Sequence, residues 1–292
     1  MQRGDFLAAS VAALAAPAGG SELAALERRS GGRLGVYALD TGSGHSIAYR
    51  AHERFPMCST FKLLLAGAVL ARVDERNESL TRLVGYGDAD MLPNSPVTKA
   101  HLSMASMTVG QLCAAAIEQS DNTAANLLVH SLLGPAGLTK FARKIGDPVT
   151  RLDRDEPQLN SAIPGDPRDT TAPAAMAADA RVLVLGNALS ARSRTQLRAW
   201  MLACRTGGAS LRAGVPAGWR EGDKTGSGDH GTVNDVAIFW PPQRVPIVVA
   251  AYATGMTVTS DAQYGVLAGV GRIVLLREPG GAGVGWMTPA DG

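Results

Sequence analysis

The sequence predicts an α/β fold, an α+β sandwich. In it one antiparallel sheet, flanked by helices, is built from both termini, and an all-helical domain is inserted between its two halves. Three observations carry this expectation. Strand-like runs stand near both ends of the chain. Helical patterns fill most of the stretch from Thr60 to Trp200. A helix is expected beside each terminal group of strands, ready to cover a sheet face.

The elements follow in order. Ser21 to Arg29 reads as a helix with a serine N-cap and a Leu/Ala face. Arg33 to Asp40 and His45 to Arg50 read as two strands about the turn Thr41-Gly42-Ser43-Gly44. Thr108 to Ser120 is an amphipathic helix, and a second follows from Asp121 to Leu133. Arg151 to Thr170 carries three prolines and many charges without periodicity, and a loop that long inside a compact domain is usually functional. Gly231 to Pro241 and Val245 to Thr254 read as antiparallel strands, and Ser260 to Leu276 as a closing helix. The expected division is an α/β domain from 21–58 and 202–278 and a helical domain over 59–201 that includes the 151–170 loop. A disordered tail is expected over 279–292. A cleft between the domains would be the natural binding site.

Composition narrows the function. With 292 residues, 46% of them hydrophobic, the chain can bury a large core. A net charge of +2 without any basic stripe, and 5% aromatics, argue against nucleic acid as a partner. Cys58, Cys113 and Cys204 are odd in number and widely spread, so no disulfide framework is expected. The five histidines form no ligand-spaced cluster, so neither a metal nor another cofactor is expected. Residues 1–20 read as an export signal: Arg3, an apolar run from Phe6 to Ala16, then small residues at Ala16-Pro17-Ala18. "RGDFLAAS" is similar to a twin-arginine signal with Gly4 in place of the second arginine. The expectation is a periplasmic or secreted monomer with no membrane anchor.

Four elements carry chemistry. Ser59 and Lys62, at i and i+3 of a helix start, share a face, so the amine can reach the hydroxyl. The apolar run after them would desolvate Lys62 and lower its pKa. The bland reading is that Ser59 caps the helix and Lys62 snorkels. Ser120-Asp121-Asn122 marks a helix junction, where all three residue types are ordinary caps. Lys224-Thr225-Gly226, followed by Ser227, precedes strand-forming residues and could be a plain hairpin turn. In the long loop Glu156 and Asn160, four apart, could hold one water, with the carboxylate as its base. Arg154 and Asp169 could pin the loop's ends. Only five lysines exist, and two of them fall in these elements.

Together the motifs resemble those of the class A serine β-lactamases. The resemblance runs from about Ser21 to Leu276 and includes "ERFPMCSTFK", "MTVGQLCAAAIEQSDNTAANLL", "GPAGLTKF", "RLDRDEPQLN", "PGDPRDTT" and "GDKTGSGDHGTVNDVAIFWP". It implies the serine β-lactamase / penicillin-binding transpeptidase-like fold and a small-molecule β-lactam substrate. It implies Ser59 as nucleophile, with its backbone N–H and that of Ser227 as oxyanion hole. Lys62 or Glu156 would be the acylation base. Ser120 would pass a proton to the leaving nitrogen, and Asn122 would bind the substrate's side-chain amide. Glu156 and Asn160 would activate the deacylating water. Lys224, Thr225, Gly226 and Ser227 would form the substrate-carboxylate side of the site.

The chain departs from the family pattern in several places. Asn94 stands where members often have an aromatic residue, which implies a more open or more polar cleft mouth. Asp155 replaces the usual tryptophan, and two adjacent carboxylates would tend to raise one pKa. Ser210, Val233 and Tyr264 stand where many members place a carboxylate-binding arginine, with His230 a candidate helper. The positions that pair with Cys113 and Cys58 in disulfide-bearing members carry Ala66 and Gly228, which disfavours that type of carbapenemase. "KTGSGD" resembles the cephalosporin-hydrolysing branch, so oxyimino-cephalosporins are expected substrates. The rival readings are a penicillin-binding D,D-peptidase and a non-hydrolysing β-lactam sensor domain, against which Glu156 and Asn160 argue.

Overall fold

The computed structural model describes residues 18–275. The tail over 279–292 and all but the last three residues of the expected export signal lie outside the described residues. Those three begin the first helix, α1 (Ala18–Ser30), which starts earlier than the Ser21 expected.

The sheet has five antiparallel strands: β1 (Arg33–Asp40), β2 (Ser46–Tyr49), β3 (Arg220–Gly228), β4 (Thr232–Trp240) and β5 (Ile247–Thr254). Their spatial order is β2-β1-β5-β4-β3. β1 pairs with β5 along its whole length, from Arg33 opposite Thr254 to Asp40 opposite Ile247, so the two ends of the chain close one sheet. One expectation needs correction. Lys224-Thr225-Gly226 does precede a strand, β4, but is not itself a turn: it stands inside the edge strand β3, with Lys224 opposite Val236 and Ser227 opposite Val233. Its three glycines and its charges hid that strand from a reading by apolar pattern.

The pleat sends alternate side chains to opposite faces. Val236, Ile238, Val248, Ala250 and Tyr252 join the core shared with the helices of the middle segment. Ala237, Phe239, Val249, Ala251 and Ala253 join a second core with Val36 and Ala38, packed with residues of α1 and of α8 (Ser260–Leu275). Both faces are therefore covered.

The middle segment is organised about α2 (Phe61–Asp74). Ten consecutive residues, Phe61 to Leu70, are buried. A helix apolar all round must be enclosed by others. It packs on α3 (Val109–Glu118), α4 (Asn122–Ser131), α5 (Pro135–Lys144), α6 (Pro173–Val184) and α7 (Ala191–Leu202). Two short ladders, Phe55–Pro56 with Thr170–Thr171 and Leu83–Gly85 with Ser106–Thr108, are too brief to show in sequence.

One buried group makes stability depend on pH. Asp179 on α6 is almost fully buried, and burial, with the neighbouring Asp147 carboxyl adding to it, pushes its pKa up to about 9. The folded state therefore keeps a proton that the unfolded chain releases above its ordinary value of 3.8. Stability from this group is present at low pH and is lost as pH rises towards 9. Asp179→Asn is expected to flatten that dependence. Its unfolding free energy relative to the parent should rise between pH 5 and pH 9, by up to ~1 kcal/mol per pH unit. Thermal melts across that range check it; a constant offset would show that the carboxyl does not titrate there.

Candidate active site

Ser59 lies in a 3-10 turn, Cys58–Thr60, at the entry to α2; the cap positions are Met57 for the turn and Thr60 for α2, not Ser59. The turn is held from several sides. Asn234 on β4 donates from Nδ2 to the carbonyls of Pro56 (2.9 Å) and Met57 (3.2 Å). Thr60 Oγ1 donates to Met57 O at 2.6 Å and lies 3.0 Å from Tyr252 Oη. Cys58 has φ +44°, a left-handed conformation that costs a cysteine ~1–3 kcal/mol and persists only where its surroundings impose it. β3 lies directly against this turn. A Cβ on Gly226 would meet Met57 O at 2.9 Å and Ser59 N at 3.2 Å, so only glycine lets the strand come this close.

Lys62 does not snorkel. It is 0% exposed, and its Nζ donates to Asn122 Oδ1 (2.7 Å), Ser120 O (2.8 Å) and Ser59 Oγ (3.0 Å). Nζ also lies 3.0 Å from Glu156 Oε1, which accepts from Ser59 Oγ at 3.2 Å. Burial lowers the Lys62 pKa, and the Glu156 carboxylate opposes that shift. Serine, lysine and glutamate thus form a closed triangle in which either neighbour can take the serine proton.

Ser120-Asp121-Asn122 divides its labour. Asp121 is the N-cap of α4, accepting from Ala124 N, and also holds the backbone N–H groups of Val97 and Thr98. Its two neighbours face the site. Ser120 has φ +56°, and its Oγ lies 3.4 Å from Lys62 Nζ and 3.2 Å from Lys224 Nζ. Lys224 is also 0% exposed and donates to Thr225 O at 2.8 Å. Burial, helped by repulsion from Lys62, brings its pKa down to about 8.

The long loop delivers Glu156 and Asn160. Asn160 Nδ2 donates to Glu156 Oε2 at 2.5 Å, while its own Oδ1 is buried without a partner among the described residues. Asn126, one turn after Asn122 on α4, grips the Glu156 backbone twice: Nδ2 to Glu156 O and Glu156 N to Oδ1, each 2.9 Å. Sequence reasoning missed Asn126, although its i+4 spacing from Asn122 placed both on one helix face. The Arg154–Asp169 pair is formed at 2.6 Å. Asp155 turns away from Glu156 and lies 3.5 Å from His130 Nε2, so the adjacent acids do not face each other.

Above these groups opens a cavity of about 340 Å³. Ser59, Ser120, Asn122, Asn160, Thr225, Gly226 and Ser227 line it, with Lys62, Lys224 and Glu156 buried beneath. Asn94 gives it a polar wall, donating from Nδ2 to Ser120 O at 3.3 Å. Gln119 and Thr206 also line it and were not anticipated; Thr206 Oγ1 lies 2.5 Å from Thr225 Oγ1. Of the three positions lacking an arginine, only Tyr264 reaches the cavity; Ser210 and Val233 are buried elsewhere. His230 bonds Ser161 O instead of lining it. The three cysteines are free and buried. Among the described residues no group of three or more His, Cys, Asp or Glu could hold a metal ion.

The site can do acyl transfer. It offers a nucleophile with two adjacent bases, Lys62 and Glu156, backbone donors on a glycine-tight strand, and Asn160 bonded to the same Glu156 as a pair for water. Comparison with known proteins agrees. Residues 20–276 match the β-lactamase enzyme family. The chain is 48% identical to β-lactamase CTX-M-8 of Citrobacter amalonaticus over 253 residues, 87% of each chain. It is 49% identical to the carbapenem-hydrolysing β-lactamase KPC of Klebsiella oxytoca over 253 residues, 86% of each. The solved ancestral (GNCA) class A β-lactamase superposes with a TM-score of 0.86 at 62% identity, covering 87% of this chain and 97% of that one. On these grounds the chain belongs to the β-lactamase enzyme family, in its class A branch.

Proposed function

We propose that this protein hydrolyses the β-lactam ring of penicillins and cephalosporins through a Ser59 acyl-enzyme, and so confers resistance to them. The observation that carries the reading is the Ser59–Lys62–Glu156 triangle with Asn160 bonded to the same glutamate. Ser59 Oγ attacks the lactam carbonyl carbon as its proton passes to Glu156 or Lys62. The oxyanion is met by the N–H groups of Ser59 and Ser227. The C–N bond breaks, and the nitrogen takes a proton from Ser120; the proton first taken from Ser59 passes by way of Lys62, whose Nζ lies beside Ser59, Glu156 and Ser120, to restore the Ser120 hydroxyl and leave Glu156 ionised. A water set between Glu156 and Asn160 Oδ1 then attacks the ester and gives its proton to Glu156. The proton returns to Ser59 as the open acid leaves.

Lys224, Thr225 and Ser227 receive the substrate carboxylate, with Thr206 beside Thr225. This sets an alkaline limit. Lys224 is charged below about 8, so kcat/KM is expected to fall as pH rises through that value. Lys224→Arg, whose charge persists, should move the limb upward. A pH–rate profile of both proteins checks it; an unmoved limb would assign the titration to another group.

Export to the periplasm or medium rests on residues 1–20 of the sequence. No helix among the described residues is long and apolar enough to cross a membrane. A monomer is sufficient, since every residue named in the site comes from one chain.

The test is a chromogenic cephalosporin added to the purified protein while intact mass is recorded. Many turnovers with a transient mass gain are expected. One equivalent consumed with a lasting adduct would replace the hydrolase by a D,D-peptidase or sensor reading.

A further inference from the structure

Against the loop that follows Asn160 lies a second cavity of about 470 Å³, larger than the active-site cavity of about 340 Å³, sharing no lining residue with it, and within the range that small ligands occupy. Its floor is the end of the sheet, where Gly31 and Gly32 meet Thr254 and Gly255. Its far wall is the loop from Ala162 to Pro167, which follows directly on Asn160. Ile163, Pro164 and Pro167 make that wall apolar, and Ile163 is 46% exposed there.

The near wall is cationic. Arg54 donates only to neutral acceptors, Val149 O at 2.9 Å and Thr170 Oγ1 at 3.0 Å, and no carboxylate among the described residues pairs with it. Arg33 shares Glu53 with Arg50 and lies over the Phe55 ring at 4.5 Å. Asp166, the only acid lining the cavity, is occupied by Arg168 at 2.7 Å. Of the guanidinium groups in and next to the cavity, Arg33 pairs with Glu53, Arg50 with Glu27 and Glu53, and Arg168 with Asp166, which leaves Arg54 as the one without a carboxylate among the described residues. An uncompensated guanidinium at the rim of an apolar groove is complementary to a carboxylate or sulfonate carried on an apolar body.

We propose that this groove is a second ligand site, for a small amphipathic organic anion, its acidic group on Arg54 and its apolar body against Ile163 and the loop prolines. The site stands independently of the β-lactamase reading, because none of its residues belongs to the reacting cavity.

4-Phenylbutyrate is a suitable probe, and binding is read by titration calorimetry and by hydrogen exchange over residues 161–168. At a typical efficiency for such ligands, a Kd on the order of 1 mM is expected, with protection of the loop. Neutral 4-phenylbutanamide should bind at least ~10-fold more weakly. Arg54→Gln should weaken binding ~10-fold and Ile163→Asp should abolish it, while Arg54→Lys, which keeps the charge but loses the forked donors, should fall between the parent and Arg54→Gln. Ile163 is solvent-facing, so its variant keeps the test valid should Arg54→Gln unfold. Binding that both variants leave unchanged, amide bound as tightly as acid, or no binding at ~10 mM would overturn the proposal.

Discussion

Glu156→Gln protein mixed with benzylpenicillin is expected to gain the mass of one antibiotic and to hold it. Glutamine keeps the shape of the side chain and can still reach Asn160, but it cannot accept a proton from water. Removal of a general base typically costs 10²- to 10⁴-fold, so hydrolysis should slow by about 10³-fold. The first turnover behaves differently. Glu156 carries the charge that holds the Lys62 pKa up against burial. Without it Lys62 is more readily neutral, and it already lies 3.0 Å from Ser59 Oγ. Acylation is therefore expected to survive better than deacylation. Stopped-flow burst kinetics with intact-mass analysis separates the two steps. Turnover within ~10-fold of the parent would remove Glu156 as the deacylating base. Loss of the burst together with turnover would make Glu156 the base for both half-reactions and leave Lys62 a charge-positioning role.

The same triangle shows what sequence could and could not convey. Ser59, Lys62 and Glu156 were legible because each belongs to a short motif whose spacing has a physical meaning. Their competing readings needed the structure: a lysine with no exposed surface does not snorkel, and Ser59 is not the cap residue of α2, which is Thr60. The strand carrying Lys224 was not anticipated, and a hairpin turn stayed open there, because Gly226 serves close approach to the Ser59 turn instead of chain reversal. Asn234 and Thr206 were invisible, since each acts across more than a hundred residues or through a neighbouring strand. Asp155 was noticed as a carboxylate next to Glu156 in sequence, but its side chain lies beside His130. What sequence lacks, in each case, is the direction in which a side chain leaves the backbone.

Asp169→Ala is expected to cost the most stability of any single change in the loop, about 3–5 kcal/mol, because it breaks a buried pair and leaves its partner uncompensated. The carboxyl side chain is 1% exposed. Oδ1 accepts from Asp153 N at 2.7 Å and Arg154 N at 2.9 Å, and Oδ2 from Arg154 Nε at 2.6 Å. In return Asp169 N donates to Asp153 Oδ2 at 3.0 Å, which crosses the neck of the loop a second time. The carbonyl of the same residue accepts from Met57 N at 2.9 Å, two residues before Ser59. One aspartate therefore joins both ends of the loop to the segment that sets the nucleophile. Its removal orphans two backbone N–H groups and one guanidinium. For a chain of this size a loss of 3 kcal/mol lowers Tm by ~6–12 °C. The kinetic signature should be selective: deacylation, which depends on loop-borne Glu156 and Asn160, falls more than acylation, which retains Ser59, Lys62 and Ser120. Arg154→Ala alone should cost less, since the two N–H bonds to Oδ1 remain. The double variant should cost less than the sum of the singles, by ~1–3 kcal/mol of coupling. Denaturant melts on the four proteins test this. Strict additivity would mean that the pair contributes little and that the backbone bonds to Oδ1 alone close the loop.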